Sequence, residues 1–468
     1  MRLMFKSMVS FFFNPNTIAV IGATANPKKF GNAVTINVLK NTVLQNQIYL
    51  ISRGSGEIDG RKTYESILDV PVDIDVAIIL VPAKFVDDIT DECIRKKVKG
   101  IIIVTSGFGE INEEGKQLEK KIANKCVKAG IRVMGPNCVG IQNADIGLNA
   151  SFIQSAPSGN ISMISQSGSF GCAVFYQMEM ESIGCSKFAN IGNGVDVSFN
   201  EILTFFQNDR KTKIICIYME TLTNGREFYR ILKNLTPIKP VIILKGGKTK
   251  LGMKVAMSHT GSIASNYKML ETAVDQAGAI LCINPFEYLT AIKTFSFLPL
   301  PKGEKIGILT NSGGNAVLFG DAAEEYNLRL AEFSKELKEK ISPYLISLVK
   351  VINPLDMIGV AEEEQYYKIA KEMLNDPDID IVVGSCVIPP FLGMDSSEHY
   401  RGLIRAWNET GRHKPLIPLF LFSEGFEELR LLAKREKSTI FYTPHQAALA
   451  IKLLIDRKQY LERRSYYS

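Results

Sequence analysis

One repeating pattern limits this chain to a small set of folds. A short apolar run rich in β-branched residues ends in a Gly, Ser or Asn turn, an amphipathic stretch follows, and the cycle begins again. Residues 17–21 lead into Gly22-Ala23-Thr24, 75–81 into Pro82-Ala83, 100–104 into Thr105-Ser106-Gly107-Phe108-Gly109, and 131–134 into Gly135-Pro136-Asn137-Cys138. Continuous apolar runs without alternation belong to strands buried on both faces, hence to a parallel sheet with helices on each side. The pattern predicts a doubly wound α/β domain over residues 1–149.

The cycle then restarts. Residues 161–164 run into Ser165-Gln166-Ser167-Gly168-Ser169, 187–191 into Gly192-Asn193-Gly194, 214–218 into Met219-Glu220, and 241–244 into Lys245-Gly246-Gly247-Lys248. A helix over 267–277 closes this second domain, 150–297. The stretch Leu298-Pro299-Leu300-Pro301-Lys302-Gly303 reads as a linker. A third domain, 298–468, opens with 305–309 running into Thr310-Asn311-Ser312-Gly313-Gly314, a helix over 316–326, and strands at 379–383 and 416–421. The expectation is three doubly wound domains, Rossmann-like or flavodoxin-like, the last two opening alike.

Composition narrows the function. With 46% hydrophobic and 22% charged residues the chain sits in the soluble globular class. The formal charge of +6 is spread along it, without a basic arm for nucleic acid; short clusters such as Arg95-Lys96-Lys97 read as solvated helix faces, and the mild positive bias suits anionic metabolites. Eight cysteines contain no Cys-x-x-Cys pair, which argues against a zinc ribbon or redox motif and for free thiols in a reducing compartment. No apolar run reaches the ~18 residues that span a bilayer, and residues 1–13 are too short in apolar core for a signal peptide. The expectation is a cytoplasmic protein with no membrane or nucleic-acid partner and no resident metal cluster.

Five places can carry chemistry. His259, one of four histidines, sits among small residues in Met257-Ser258-His259-Thr260-Gly261-Ser262, reading either as a reactive imidazole on a loop or as an ordinary surface histidine. Ser167-Gly168-Ser169 stands where a strand hands over to a helix, and Asn311-Ser312-Gly313-Gly314 repeats the arrangement. Backbone amides at such a helix start suit an anion, although a tight turn with a Ser cap is also commonplace. Neither turn fits a Walker phosphate loop or a Gly-x-Ser-x-Gly elbow. Glu220 ends an apolar strand, where a carboxylate reads as a solvated strand end or as the partner of an imidazole. Gly22-Ala23-Thr24 is a nucleotide-type turn without the full Gly-x-Gly-x-x-Gly fingerprint.

Taken in order, these motifs resemble those of NDP-forming acyl-CoA synthetases. They are Ile18-Ala19-Val20-Ile21-Gly22-Ala23-Thr24 with Pro27 and Gly31, Gly135-Pro136-Asn137-Cys138, Ser165-Gln166-Ser167-Gly168, Gly192-Asn193-Gly194, Ser258-His259-Thr260-Gly261 and Thr310-Asn311-Ser312-Gly313-Gly314. The chain is similar to the α subunits of ADP-forming acetate–CoA ligases in the succinyl-CoA synthetase superfamily, from about Phe12 to His445. The resemblance implies a CoA-binding domain followed by two ligase-CoA domains. It implies CoA contacts from Gly22, Ala23, Thr24, Val81, Pro82, Ser106, Gly107, Phe108, Pro136 and Asn137. It makes His259 the phosphorylated histidine, Glu220 its acidic support, and Ser167, Gly168 and Ser169 the phosphoryl-holding helix start. Gly192, Asn193 and Gly194, with Asn311, Ser312, Gly313 and Gly314, are further phosphate-site residues on the same footing.

The implied reaction is acyl-CoA + phosphate + ADP = acid + CoA + ATP through acyl phosphate and phosphohistidine. Coenzyme A is used here, and ADP/ATP with Mg²⁺ on a separate ATP-grasp β subunit in an α2β2 assembly. Two departures stand out. Ile51-Ser52-Arg53-Gly54 replaces the family's Val-Asn-Pro-Lys, making Arg53 the candidate for the CoA-phosphate contact, and Lys248 stands where an Arg is common. The alternatives are a non-catalytic CoA-binding sensor or scaffold and a succinyl-CoA-type ligase.

Overall fold

The computed structural model describes all residues except 1–7, 42, 55, 156, 261–266, 388–395, 422–425 and 467–468, and except the side chains of 256–260, 396 and 426. Among the described residues three sheets form. The first holds β1 (Ile18–Ile21), β2 (Ile48–Ile51), β3 (Glu57–Ile58), β4 (Arg61–Tyr64), β5 (Val76–Ile79), β6 (Gly100–Ile103) and β7 (Arg132–Met134), in the order β3-β4-β2-β1-β5-β6-β7. All neighbours are parallel except β3 and β4. β1 lies between β2 and β5, with Ile18 opposite both Ile48 and Val76. The chain therefore leaves β1 in one direction and returns on its other side, which opens a crevice at the carboxyl ends of these strands.

The second sheet holds β8 (Gly140–Asn143), β9 (Leu148–Ser151), β10 (Ser158–Ser165), β11 (Cys185–Asn190), β12 (Ile214–Met219), β13 (Val241–Lys245) and β14 (Ile280–Cys282), in the order β14-β13-β12-β10-β11-β8-β9. Strands β10 to β14 are parallel, and β8 and β9 extend the sheet as an antiparallel edge. The switch point here is β10, between β11 and β12. A third, parallel sheet holds β15 (Lys305–Thr310), β16 (Arg329–Leu330), β17 (Leu355–Asp356), β18 (Ile381–Cys386) and β19 (Leu416–Phe420), ordered β16-β15-β18-β19 with β17 also on β15.

The chain divides into two compact units, Met1–Ile283 and Asn284–Ser468. The sequence boundary at 149 falls inside β9, whose residues belong to the second sheet rather than the first. The boundary at 297 likewise falls at the end of a helix, Pro285–Phe297, that belongs to the second unit. Its Tyr288, Ala291 and Ile292 are fully buried, and Thr290 Oγ1 lies 3.2 Å from the Gln446 amide, which donates to it from the helix Pro444–Tyr466.

Within the first unit one apolar core runs through both sheets. The N-terminal turn joins it: Phe12 and Phe13 are fully buried, and the Phe13 ring stacks on Phe205 at 4.8 Å. Asn143 Nδ2 donates to the Phe13 carbonyl at 2.8 Å. Burying a phenyl side chain contributes about 1.5–3 kcal/mol, so this short segment helps fasten the first sheet to the second. Among the described residues no helix is long and apolar enough to cross a membrane.

Candidate functional site

The carboxyl edges of the first two sheets face one cleft of about 1640 Å³. On the first sheet, Gly22 follows β1 at φ +88°, a left-handed conformation open to glycine. Its amide and that of Ala23 donate to the Ile51 carbonyl at 3.0 and 3.2 Å, so the end of β2 shapes the turn. A Cβ on Gly22 would stand 3.1 Å from the Leu80 main chain and the Val81 side chain. Gly22, Ala23, Thr24, Val81, Pro82, Ser106 and Asn137 line the cleft. Thr105 Oγ1 donates to the Val81 carbonyl at 2.7 Å and ties the two loops together.

Arg53 also lines the cleft. Its side chain is 73% exposed, and its guanidinium is 3.8 Å from Glu92. Sequence reasoning missed Lys28 and Lys29, which line the same wall. Lys29 is the N-cap of the helix Phe30–Leu39 and makes no side-chain cap hydrogen bond. The first amides of that helix and two ammonium groups thus share one place, which suits a phosphate. The signal was legible in Asn26-Pro27-Lys28-Lys29, a basic pair just ahead of a helix. Phe30 and Phe152, with ring centroids 5.2 Å apart, add apolar ring surface to the cleft.

Gly107, Phe108 and Pro136 are not on the cleft wall. Phe108 is fully buried in the first sheet's core, where its ring anchors the loop. The amides of Gly107 and Phe108 donate to Glu110 Oε1 at 2.5 and 3.2 Å, and the Pro136 carbonyl accepts from the Asn193 amide at 3.0 Å.

On the second sheet Ser167 caps the helix Gly168–Met180, its Oγ accepting from the Phe170 amide at 3.3 Å. Ser167, Gly168 and Ser169 line the cleft. Buried Asn190 braces this turn: its Nδ2 donates to the Ser165 carbonyl at 2.8 Å while its Oδ1 accepts from the Val139 amide at 2.7 Å. Gly192, at φ +53°, lies so close to the Pro136 and Asn137 carbonyls that a Cβ would collide with both. Asn193 Nδ2 donates to Glu110 Oε2 and Glu119 Oε2, each at 2.8 Å. Burial raises the Glu110 pKa, but the Asn193 amide and the Gly107 and Phe108 N–H groups outweigh it and hold the carboxyl below its ordinary value. Gly192 and Asn193 line the cleft and Gly194 does not; the Gly194 amide closes its turn on the Ile191 carbonyl at 3.0 Å.

Glu220 follows β12, is 8% exposed and reaches the cleft. Its amide and that of Thr221 donate to Gln166 Oε1 at 2.7 and 2.9 Å. Lys245 Nζ donates to the Glu220 carbonyl at 2.7 Å; burial pulls this ammonium below its ordinary pKa, and the Glu220 charge works against that pull. Gln166 and Lys245 were quoted in the sequence motifs without a role. The main chain of His259 lies in a helix, Lys250–Thr260, where a loop was expected, and its side chain lies outside the described residues. Lys248 Nζ stands 5.5 Å over the Tyr267 ring.

Asn311, Ser312, Gly313 and Gly314 belong to the second unit. Asn311 is 7% exposed and exchanges two hydrogen bonds with the Val387 main chain, at 2.8 and 2.9 Å. Ser312 caps the helix Gly313–Glu325. A Cβ on Gly313 would stand 3.0 Å from Asp356 Oδ2, so a carboxylate flanks this helix start and disfavours an anion there. The two serine turns are alike in backbone and unlike in charge. Among the described residues no group of three potential ligands could hold a metal ion.

Known proteins match this arrangement end to end. The CoA binding domain family matches residues 16–144, and the succinyl-CoA ligase like flavodoxin domain family matches residues 158–295. The α subunit of acetate–CoA ligase [ADP-forming] II from Pyrococcus furiosus is 40% identical over 96% of this chain and 98% of its own. The acetate–CoA ligase [ADP-forming] of Methanocaldococcus jannaschii is 40% identical over 75% of this chain, a match that spans 49% of that longer protein. A solved structure of a dinucleotide forming acetyl-coenzyme A synthetase from Ca. Korarchaeum cryptofilum, in complex with phosphate and ADP, superposes with a TM-score of 0.91. It is 30% identical, over 97% of this chain and 98% of that one. With a glycine turn, a capped helix start and a strand-end glutamate around one cleft, and with an α subunit matched at 40% identity over 98% of its length, the chain belongs to the family of ADP-forming acetate–CoA ligase α subunits.

Proposed function

We propose that the chain is the CoA- and phosphate-handling subunit of an ADP-forming acyl-CoA synthetase, running acyl-CoA + phosphate + ADP ⇌ acid + CoA + ATP. The observation that carries this reading is the single cleft. Gly22, Lys28, Lys29 and Arg53 stand on one sheet's edge, and Ser167, Ser169 and Glu220 on the other's. Coenzyme A is a long polyanion; the cleft exceeds the roughly 300–1,000 Å³ of ordinary small-molecule sites, and its cations and uncapped helix start suit the phosphates. The residues fit the group.

The chemistry then follows in balanced steps. A phosphate oxygen attacks the thioester carbonyl carbon, the C–S bond breaks, and CoA leaves as a thiolate that takes a proton from solvent. The acyl phosphate stays at the helix start behind Ser167, where backbone amides offset its charge. A neutral imidazole nitrogen of His259 attacks phosphorus, the P–O bond to the acyl group breaks, and the carboxylate product leaves. Glu220 offsets the positive charge of the phosphorylated ring. The phosphohistidine finally passes its phosphoryl group to a terminal oxygen of ADP, forming ATP.

That last transfer belongs to a partner. The full-length match to an α subunit, beside a same-named relative about one and a half times as long, supports a separate β chain. We assign it the ATP-grasp fold, the nucleotide and its Mg²⁺, in an α2β2 assembly. Acetate, the acid in the relatives' names, is the first acid to assay. Eight cysteines, seven of them buried, suit a reducing cytoplasm.

The test is a half-reaction. The chain is incubated with acetyl-CoA and phosphate without nucleotide, with hydroxylamine present to trap acyl phosphate. Phosphate-dependent release of CoA thiol together with acetohydroxamate is the expected result. Tight CoA binding with no phosphate-dependent thiol release would instead favour a CoA sensor.

A further inference from the structure

We infer that Tyr218 is a positioning residue that aims the Glu220 carboxylate at the phosphoryl site. This rests on the reading of Glu220 given above. Tyr218 and Glu220 are two residues apart at the end of β12, so their side chains leave on the same face. The Tyr218 hydroxyl donates to Glu220 Oε1 at 3.2 Å, leaving the second carboxylate oxygen for another partner. The main chain of Glu220 is already fixed by Gln166 and Lys245. Its carboxylate sits at the end of a flexible side chain, and the tyrosine is what selects one orientation.

Two further contacts make the arrangement specific. The Tyr218 ring packs against Phe170 with centroids 4.3 Å apart, and Phe170 lies in the first turn of the helix capped by Ser167. The same ring therefore touches the phosphoryl-holding helix and directs the acidic side chain beside it. Gly246 leaves the necessary room: a Cβ there would stand 2.9 Å from the Tyr218 hydroxyl and 3.4 Å from Glu220 Cγ. Burial pushes the phenol well above its ordinary pKa, and the Glu220 charge pushes the same way, so the hydroxyl keeps its proton and remains a donor. The Lys245 ammonium also faces the Glu220 charge.

The test uses the full chain with its nucleotide-binding partner and three variants: Tyr218→Phe, Glu220→Gln and the two combined. Tyr218→Phe keeps the ring on Phe170. It is expected to lower kcat roughly tenfold, the scale of one hydrogen bond to a charged group, with KM for CoA unchanged. In the Glu220→Gln background the same change should add nothing. The inference is overturned by wild-type turnover in Tyr218→Phe, by a loss confined to KM, or by an equal loss in the Glu220→Gln background. Normal turnover in Glu220→Gln alone would instead remove the underlying assignment of Glu220, so the two failures are distinguishable.

Discussion

Arg53 and Lys29 reach the same cleft from different footings. The Arg53 guanidinium is mostly exposed and already faces Glu92, so a phosphate gains little from it and salt screens the gain further. Lys29 stands at a helix start, where backbone amides add to its charge. Calorimetry at low salt should therefore show CoA bound about three- to tenfold more weakly by Arg53→Ala, with the difference shrinking in 0.5 M salt, on the scale of ~1 kcal/mol for a charge-assisted contact. Lys29→Ala should weaken binding at least as much and keep more of its effect in salt. Equal CoA affinity in both variants would detach these cations from the CoA phosphates.

Lys187 on β11 supports the second sheet from within. It is 3% exposed and donates to Asp145 Oδ2 at 2.8 Å and to Asp209 Oδ2 at 2.7 Å. Burial raises the Asp209 pKa, but hydrogen bonds from Lys187 and Thr212 and the Lys187 charge prevail, so the carboxyl is held below its ordinary 3.8. With its folded-state pKa lowered, Asp209 adds stability that is present above 3.8 and is lost as pH falls through the lowered value. Lys187→Met leaves two carboxylates facing each other without a cation and should cost about 3–5 kcal/mol. Thermal melts at pH 7 should show this as a clearly lower Tm. The penalty should shrink below pH 4, as Asp209, without the Lys187 charge, takes up a proton sooner in the variant. A Tm difference independent of pH would contradict the ion-pair account.

The same scale shows what the sequence concealed. Parallel strands such as β1, β6 and β12 announce themselves as apolar runs because both faces are covered. β8 and β9 are just as buried but carry Gln142, Asn143, Asn149 and Ser151. Those polar groups are hydrogen-bonded within the fold, as where Gln142 Nε2 donates to Ser151 Oγ at 3.1 Å and Asn143 Nδ2 to the Phe13 carbonyl, so hydrophobic periodicity passes over them. That is why the boundary fell at 149. The segment before His259 misled in the opposite way: its Ser, Thr and Gly residues suggest a loop, while Lys250, Leu251, Met253, Lys254 and Ala256 are good helix formers and carry a helix to Thr260. Glu220 was legible from its place at a strand end. Lys28 and Lys29 were visible in sequence, but only the fold brings them to the same cleft as Ser167.

On the scale of the whole molecule, the first unit holds the CoA-type turn, the capped helix start and Glu220 in one compact body, while the nucleotide is assigned to a partner. Energy then has to leave the α chain as a covalent group, and His259 is the residue assigned to carry it. The most direct test incubates the chain and its partner with Mg²⁺ and ATP labelled on the terminal phosphate, followed by peptide mapping. The account predicts an acid-labile, base-stable label on His259, discharged by added acetate and CoA and absent from His259→Ala. Undiminished labelling of His259→Ala, or a wild-type chain that turns over without ever acquiring the label, would contradict it.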